Sequence, residues 1–346
     1  MSHPGLLEKC KRRRRLEVDR YYQTVLLTLG LKDFFDNEKS TCRFVSAEPT
    51  FTETASQKEV FPDVVLEHDN DTQGIICEIK TSLPEVDFFL LEKLKQLELF
   101  SGQIEGWETS NRKVNDHSLI LLCHALDSDR VVEKINQWVK EGKLKITKKL
   151  CIAEWSTIES LKFDQRDVIL IRHKSGETNC EWLNTKLHLN IKLGLEELIT
   201  KYEKCRFTRK EPPLEYTMNQ LWSCIFPAIK EETEDFTSNI GEILRIAYDY
   251  FIPWSGIRGE YSQVRKRWIT KAMNSFCEID LAEVQSGQES ASKTDEEYKI
   301  YYGKRIQKDV SDYFVEGLCQ KRIEEAGKLP TEETLEEAQR RLAEFG

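Results

Sequence analysis

The stretch FPDVVLEHDNDTQGIICEIK, residues 61 to 80, sets two apolar runs around a polar turn and plants Asp63, Glu67, Glu78 and Lys80 inside those runs. Asp69, Asn70, Asp71 and Gly74 are turn formers, so the pattern predicts a hairpin with strands over 63–68 and 74–82. A charge withdrawn from water needs a partner or a metal, because desolvating an ion costs several kcal/mol. Side chains two apart on a strand share a face. Glu78 and Lys80 therefore lie together, opposite Cys77 and Ile79, and Asp63 lies with Val65 and Glu67. A suitable register gathers two carboxylates and one ammonium at one spot of a sheet otherwise made of Val, Ile, Leu and Cys. Glu67 is an alternative to Asp63, but its place near the strand end points it to solvent.

Oxygen ligands of this kind suit Mg²⁺, which keeps several waters and binds through one or two carboxylates; Mn²⁺ is the expected substitute. A cation there activates water and neutralises a leaving oxygen, and Lys80 beside it offsets charge in the transition state. The chemistry favoured is phosphodiester hydrolysis. Pro62-Asp63, a spacer of fourteen residues, and then Glu78-Ile79-Lys80 resemble the signature of the PD-(D/E)XK nuclease superfamily. The similarity spans roughly residues 10 to 125 and includes a preceding helix, the hairpin, a following helix and a further strand. It implies a restriction-endonuclease-like fold, with Asp63 and Glu78 as metal ligands, the backbone carbonyl of Ile79 beside them, and Lys80 assisting the nucleophilic water. Two further positions match some branches of the superfamily. One is a glutamate on the first helix, here Glu17, which reads equally as a residue paired with nearby arginines; the other is a glutamine on the helix after the E-x-K, here Gln96.

Around this core the chain alternates helix and strand. A helix is predicted over 16–31, stopping at Gly30, then a strand over 41–46, the hairpin, and an amphipathic helix over 86–100 carrying Leu90, Leu94 and Leu97. A strand at 119–124, a helix at 129–140 and strands at 151–155 and 167–172 follow. This is the pattern of an α/β layered domain, expected to occupy residues 1–176. Residues 177–346 read as a mainly helical domain, with helices over 192–204, 216–229, 237–250, 260–276, 297–325 and 331–344 and a Ser/Gln/Glu-rich connection over 283–297.

Charge decides partners. The net charge of −9 argues against a surface basic throughout, yet local patches govern contacts within a Debye length of about 8 Å. Basic clusters stand at Lys9–Arg15, Lys201–Lys210 and Arg258–Lys271. Arg12, Arg13, Arg14 and Arg15 form a candidate nucleic-acid arm, and Arg265, Lys266 and Arg267 a second contact. In the second cluster, arginines can anchor phosphates, and aromatics such as Tyr248, Trp254 and Trp268 can stack on bases. The bland alternative is a helical core with a basic outer face. The helices there also admit a winged-helix or helix-turn-helix arrangement, or partner and dimer contacts.

Other chemistries lack their motifs. The six histidines show no zinc-hydrolase spacing, and no phosphate-binding glycine loop or dinucleotide fingerprint is present. Ten cysteines without a C-x-x-C suggest neither a zinc ribbon nor a disulfide framework, and no secretion signal is visible, so a reducing cytoplasm is expected. The longest apolar run, SLILLCHAL at 118–126, falls well short of the roughly 20 residues a bilayer span needs. Two functions follow as expectations: a metal-dependent endonuclease acting on DNA, which the resemblance ties to restriction or anti-phage defence with a homo-oligomer or partner protein, or a nucleic-acid-binding or assembly module that keeps the fold without turnover.

Overall fold

The computed structural model describes residues 3–38, 41–48, 51–52, 59–68, 73–81, 88–99, 116–158, 167–204, 206–208, 210–229, 235–250, 261–285, 297–303 and 310–327. These fall into two compact units: one holds 20–210, the other 3–19 and the described residues from 211 onward. The expected boundary at 176 therefore moves to Lys210, because the chain after 176 still packs onto the sheet. The first helix divides between the units.

That helix, α1 (His3–Asn37), is followed by β1 (Cys42–Ala47), the two-residue strands β2 (Phe51–Thr52) and β3 (Glu59–Val60), and the hairpin β4 (Val64–His68) and β5 (Gln73–Lys80). Next come α2 (Phe88–Leu99), β6 (Asp116–His124), α3 (Ser128–Lys140), β7 (Leu150–Ile158), β8 (Val168–Gly176), α4 (Glu181–His188), β9 (Ile191–Gly194) and α5 (Leu195–Lys201). Seven strands form one mixed sheet in the order β1-β4-β5-β6-β7-β8-β9. Its centre, β5-β6-β7, is parallel and its flanks are antiparallel. A central parallel strand is buried on both faces, which explains the unbroken run Leu119 to Cys123 on β6.

The period-two alternation sorts β5 between two layers. Ile75, Cys77 and Ile79 pack with Leu27, Leu31 and Phe35 of α1 and Leu183 and Leu187 of α4. Ile76 turns the other way, onto Leu97 of α2, and farther along that face Leu90 and Leu94 of α2 and Val131, Ile135 and Trp138 of α3 cover Leu121 and Ile152. The unit is an α/β/α sandwich, as the alternation of elements implied.

Two readings of the sequence need correcting here. Gly30 does not stop α1. A Cβ at that position would lie 2.5 Å from Leu193 Cδ1, so the glycine lets helix and strand β9 approach. The helix expected over 192–204 begins as β9, whose Ile191 and Leu193 alternate into the core.

The second unit contains α6 (Leu214–Gln220), a π-helical turn (Leu221–Ile225), α7 (Phe226–Ile229), β10 (Phe236–Asn239), α8 (Ile240–Ala247), a 3₁₀ turn (Tyr248–Tyr250), α9 (Tyr261–Glu278), β11 (Ala282–Gln285), β12 (Glu297–Ile300) and α10 (Val310–Gly327). Trp222, Phe226, Phe276 and Phe314 form its aromatic core, with ring centroids 5.4 to 6.1 Å apart. The unit is not helical alone: β10, β12 and β11 form a three-stranded antiparallel sheet. A disulfide joins Cys10 on α1 to Cys319 on α10 across 309 residues, which corrects the expectation of a chain without one. No helix among the described residues is long and apolar enough to cross a membrane. The expected helix over 331–344, with Trp254 and Arg258, lies outside the described residues, as does most of the connection over 283–297.

Candidate functional site

The hairpin pairs Val64 with Cys77 and Leu66 with Ile75. Strand β4 begins at Val64, so at Ile79 the ladder on that side has ended and the amide needs another acceptor. Asp63 supplies it: Ile79 N–H donates to Asp63 Oδ2 at 2.6 Å. In a strand the N–H and C=O of one residue point to the same side, so the Ile79 carbonyl faces the same opened edge. The break in pairing is what brings the Asp63 side chain to the E-x-K segment.

Asp63 and Glu78 are each 1% exposed. Lys80 Nζ donates to Glu78 Oε1 at 2.6 Å, and the sequence-predicted trio thus forms one cluster. Three residues that the sequence did not place at this site complete it. Lys93 of α2 places Nζ 3.5 Å from Glu78 Oε2 and donates to the Phe61 carbonyl at 2.7 Å. Lys210 pairs with Asp63 Oδ1, and its backbone N–H donates to Glu48 Oε2 at 3.1 Å. Glu48, buried and left-handed at φ 47°, donates its own N–H to the Asp63 carbonyl at 2.9 Å. Three carboxylates and three ammonium groups gather where the β4–β5 ladder ends.

The electrostatics follow. Burial pushes the Asp63 carboxyl up, but Lys210 and Lys80 together with the Ile79 amide outweigh it and hold the group below the usual aspartate range. For Lys80, burial favours the neutral amine, yet Glu78 and Asp63 keep the ammonium and raise its pKa. Lys210 is raised in the same way, chiefly by Asp63 and Glu78 against the cost of burial. Lys80 and Lys210 each feel the charge of both Asp63 and Glu78.

Glu78 Oε2 is buried and accepts no hydrogen bond. The Lys93 ammonium stands 3.5 Å from it as an ion-pair partner, and Asp63, Glu78 and the Ile79 carbonyl are a donor set that a hard cation, with water completing its shell, would suit. Among the described residues no group of three or more His, Cys, Asp or Glu side chains is arranged to hold a metal ion, so any such site rests on two carboxylates and a carbonyl.

The remaining candidates stand elsewhere. Glu67 is buried rather than solvent-facing, because Arg43 across the β1–β4 ladder pairs with it at 2.5 Å. Gln96 is half-buried on α2, and no hydrogen bond joins it to Asp63, Glu78 or Lys80; Lys93 is the α2 residue that reaches the cluster. Glu17 belongs to the second unit and pairs with Arg13 and Arg14 at 3.1 and 3.5 Å.

The basic arm is engaged within the second unit. Arg14 lies 3.6 Å from the fully buried Glu215 and Arg15 2.7 Å from Asp312, and Arg12 is exposed. On α9, Trp268, Ala272 and Phe276 are buried, Lys266 is half-buried and Arg267 exposed; the side chain of Arg265 lies outside the described ones. Trp268 is a core residue and no stacking platform, whereas Tyr248 is half exposed. The outcome on α9 is a helical core with a basic outer face.

No protein-family model, curated protein or solved structure matches the chain, so a functional reading rests on the geometry alone.

Proposed function

We propose that the chain is a metal-dependent nuclease that hydrolyses phosphodiester bonds of DNA at the Asp63–Glu78–Lys80 cluster. The observation that carries this reading is the meeting of a buried Asp63 with the E-x-K segment at the end of a β-ladder, beside a buried Glu78 whose Oε2 accepts no hydrogen bond. The series α1, β1, β4, β5, α2, β6 also supports a restriction-endonuclease-like core, since it repeats the element order on which the resemblance rests. Asp63, Glu78 and the Ile79 carbonyl would hold Mg²⁺ or Mn²⁺. A bound cation would supply charge neutralisation and an activated water. Lys80, kept protonated by Glu78, would hold that water and face the developing phosphoryl charge.

In the second unit, two helices (α8, α9) lie between the first and second strands of a small antiparallel sheet whose last strand is central. That layout supports a winged-helix reading in which α9, carrying Lys266, Arg267 and Lys271, enters a groove. A role in restriction or anti-phage defence, with an oligomer or partner protein, remains an implication of the resemblance.

One observation favours a second reading, a binding or assembly module without turnover: lysines already pair with both carboxylates. Incubating the chain with plasmid and with single-stranded DNA, with and without Mg²⁺ or Mn²⁺, separates the two. The nuclease reading expects metal-dependent cutting that falls about 100-fold or more in Asp63→Ala and Lys80→Ala. Binding without cutting in every buffer would instead favour the module.

A further inference from the structure

We propose that Arg172, oriented by the buried Glu154, anchors a second phosphate of the DNA strand whose scissile phosphate lies at the Asp63–Glu78–Lys80 cluster. This inference rests on the nuclease reading above, and every residue it uses belongs to the first unit.

Neighbouring strands of the sheet set their register partners in a row. Lys80 on β5 pairs with Cys123 on β6, Cys123 with Glu154 on β7, and Glu154 with Arg172 on β8. Alternation along each strand puts this row on the face covered by α2 and α3. Cys123 packs there with Leu121 and Ile152, while Ala153, Trp155 and Ile171 pack on the opposite face. The middle of the row is covered, with Cys123 fully buried and Glu154 4% exposed. Its accessible groups are the cations at the two ends, the side chains of Lys80 at 26% and Arg172 at 51%. Three strand spacings of about 4.8 Å separate those backbones by roughly 14 Å. That span covers a few nucleotides of a duplex strand, at one phosphate per about 3.4 Å of axis.

Glu154 makes Arg172 a fixed donor. A carboxylate buried on a sheet is costly unless its oxygens are engaged, and here both are. Oε1 accepts from Arg172 Nε and Oε2 from the Ser128 hydroxyl, with Lys174 Nζ 3.5 Å away. Burial pushes the Glu154 carboxyl up, but Ser128, Arg172 and Lys174 outweigh it and keep the group ionised. Lys174 also pairs with Asp129 at 2.6 Å, so it balances the acids at the start of α3. Arg172 is engaged through Nε; among the described residues its terminal nitrogens donate to no group. A guanidinium pinned at Nε presents those nitrogens as a flat fork that matches two oxygens of one phosphate.

The test uses the full chain and reads kcat and KM separately for Mg²⁺-dependent cutting of a short DNA duplex. Affinity for the same duplex is measured in a Lys80→Ala background that keeps it intact. Arg172→Met is expected to raise KM about tenfold, the loss of one charge-assisted contact, with kcat unchanged, as for a contact made equally in the ground and transition states. Duplex binding should weaken to match, and its salt slope should fall by about 1. Mn²⁺ affinity by titration calorimetry should stay as in wild type. Arg172→Lys keeps the counter-charge of Glu154, so it repeats the test should Arg172→Met fail to fold. An ammonium held on Glu154 has no second arm, and the same rise in KM is expected. KM and duplex affinity equal to wild type in Arg172→Met, or in Arg172→Lys where the first variant does not fold, overturn the proposal and leave the nuclease reading standing. A fall in kcat alone does the same. No metal-dependent cutting by the wild-type chain removes the nuclease reading and this inference together.

Discussion

At the scale of single residues, the cluster is a balance between burial and pairing. Asp63 is desolvated by the sheet yet held ionised by two lysines and an amide, so its native pKa lies below that of the unfolded chain. Such a group contributes stability above the unfolded pKa and loses it as pH falls through the native one. Asp63→Asn is therefore expected to lower stability by about 2 kcal/mol at neutral pH and to flatten the acid limb of a denaturation series, measured by urea titration from neutral to acid pH. An acid limb as steep as that of wild type would mean that another carboxylate governs it. The opposite sign holds for Lys80, whose raised pKa makes its contribution complete below the unfolded lysine pKa and lost as pH rises through the native one. Asp63, Glu78 and Lys80 were legible because strand period and hairpin spacing are local. Lys93 carried a weaker signal, a lysine one position before buried Leu94 on the helix after the E-x-K. Lys210 was visible only as the end of the basic cluster Lys201–Lys210, with nothing to place it at Asp63, 147 residues away in the chain.

Secondary elements form where sequence and packing agree, and their limits shift where packing alone decides. α3 starts and stops as its apolar period requires, with Val131, Ile135 and Trp138 on the buried face. α1 continues past Gly30 because a helix that ended there would leave Leu31 and Phe35 off the sheet. Filling that contact tests the explanation. Gly30→Leu drives a side chain into Leu193 and Leu198 and is expected to destabilise by about 1–3 kcal/mol, read as a lower thermal midpoint. A gain in stability, as helix propensity alone would give, would show that the close approach is not needed. The four-residue strands β9 to β12 escaped detection for a related reason. Segments as short as FTSN and AEVQ hold too few apolar residues to show a strand period by themselves, and pairing with β12 makes them strands.

Over the whole molecule, the sheet unit and the second unit are covalently interleaved, since the chain starts in one, passes through the other and returns. The Cys10–Cys319 disulfide closes that path within the second unit. A cross-link over so long a loop restricts the unfolded ensemble, and its removal typically costs about 2–4 kcal/mol. Reductant, or Cys10→Ser, is thus expected to lower the thermal midpoint and to retard the chain on a denaturing gel relative to the oxidised form. Equal mobility and equal melting with and without reductant would mean that the two thiols are not joined.

The sequence by itself determined the α/β layering, the hairpin and the grouping of two carboxylates with a lysine, because strand and helix periods are written in neighbouring residues. Tertiary structure alone decided which cations meet those carboxylates, where the first unit ends, and that the second contains a sheet. Each of these depends on residues far apart in the chain, and what joins them, a lysine on Asp63 or a strand on β12, gains its energy only after the fold has closed the intervening loop.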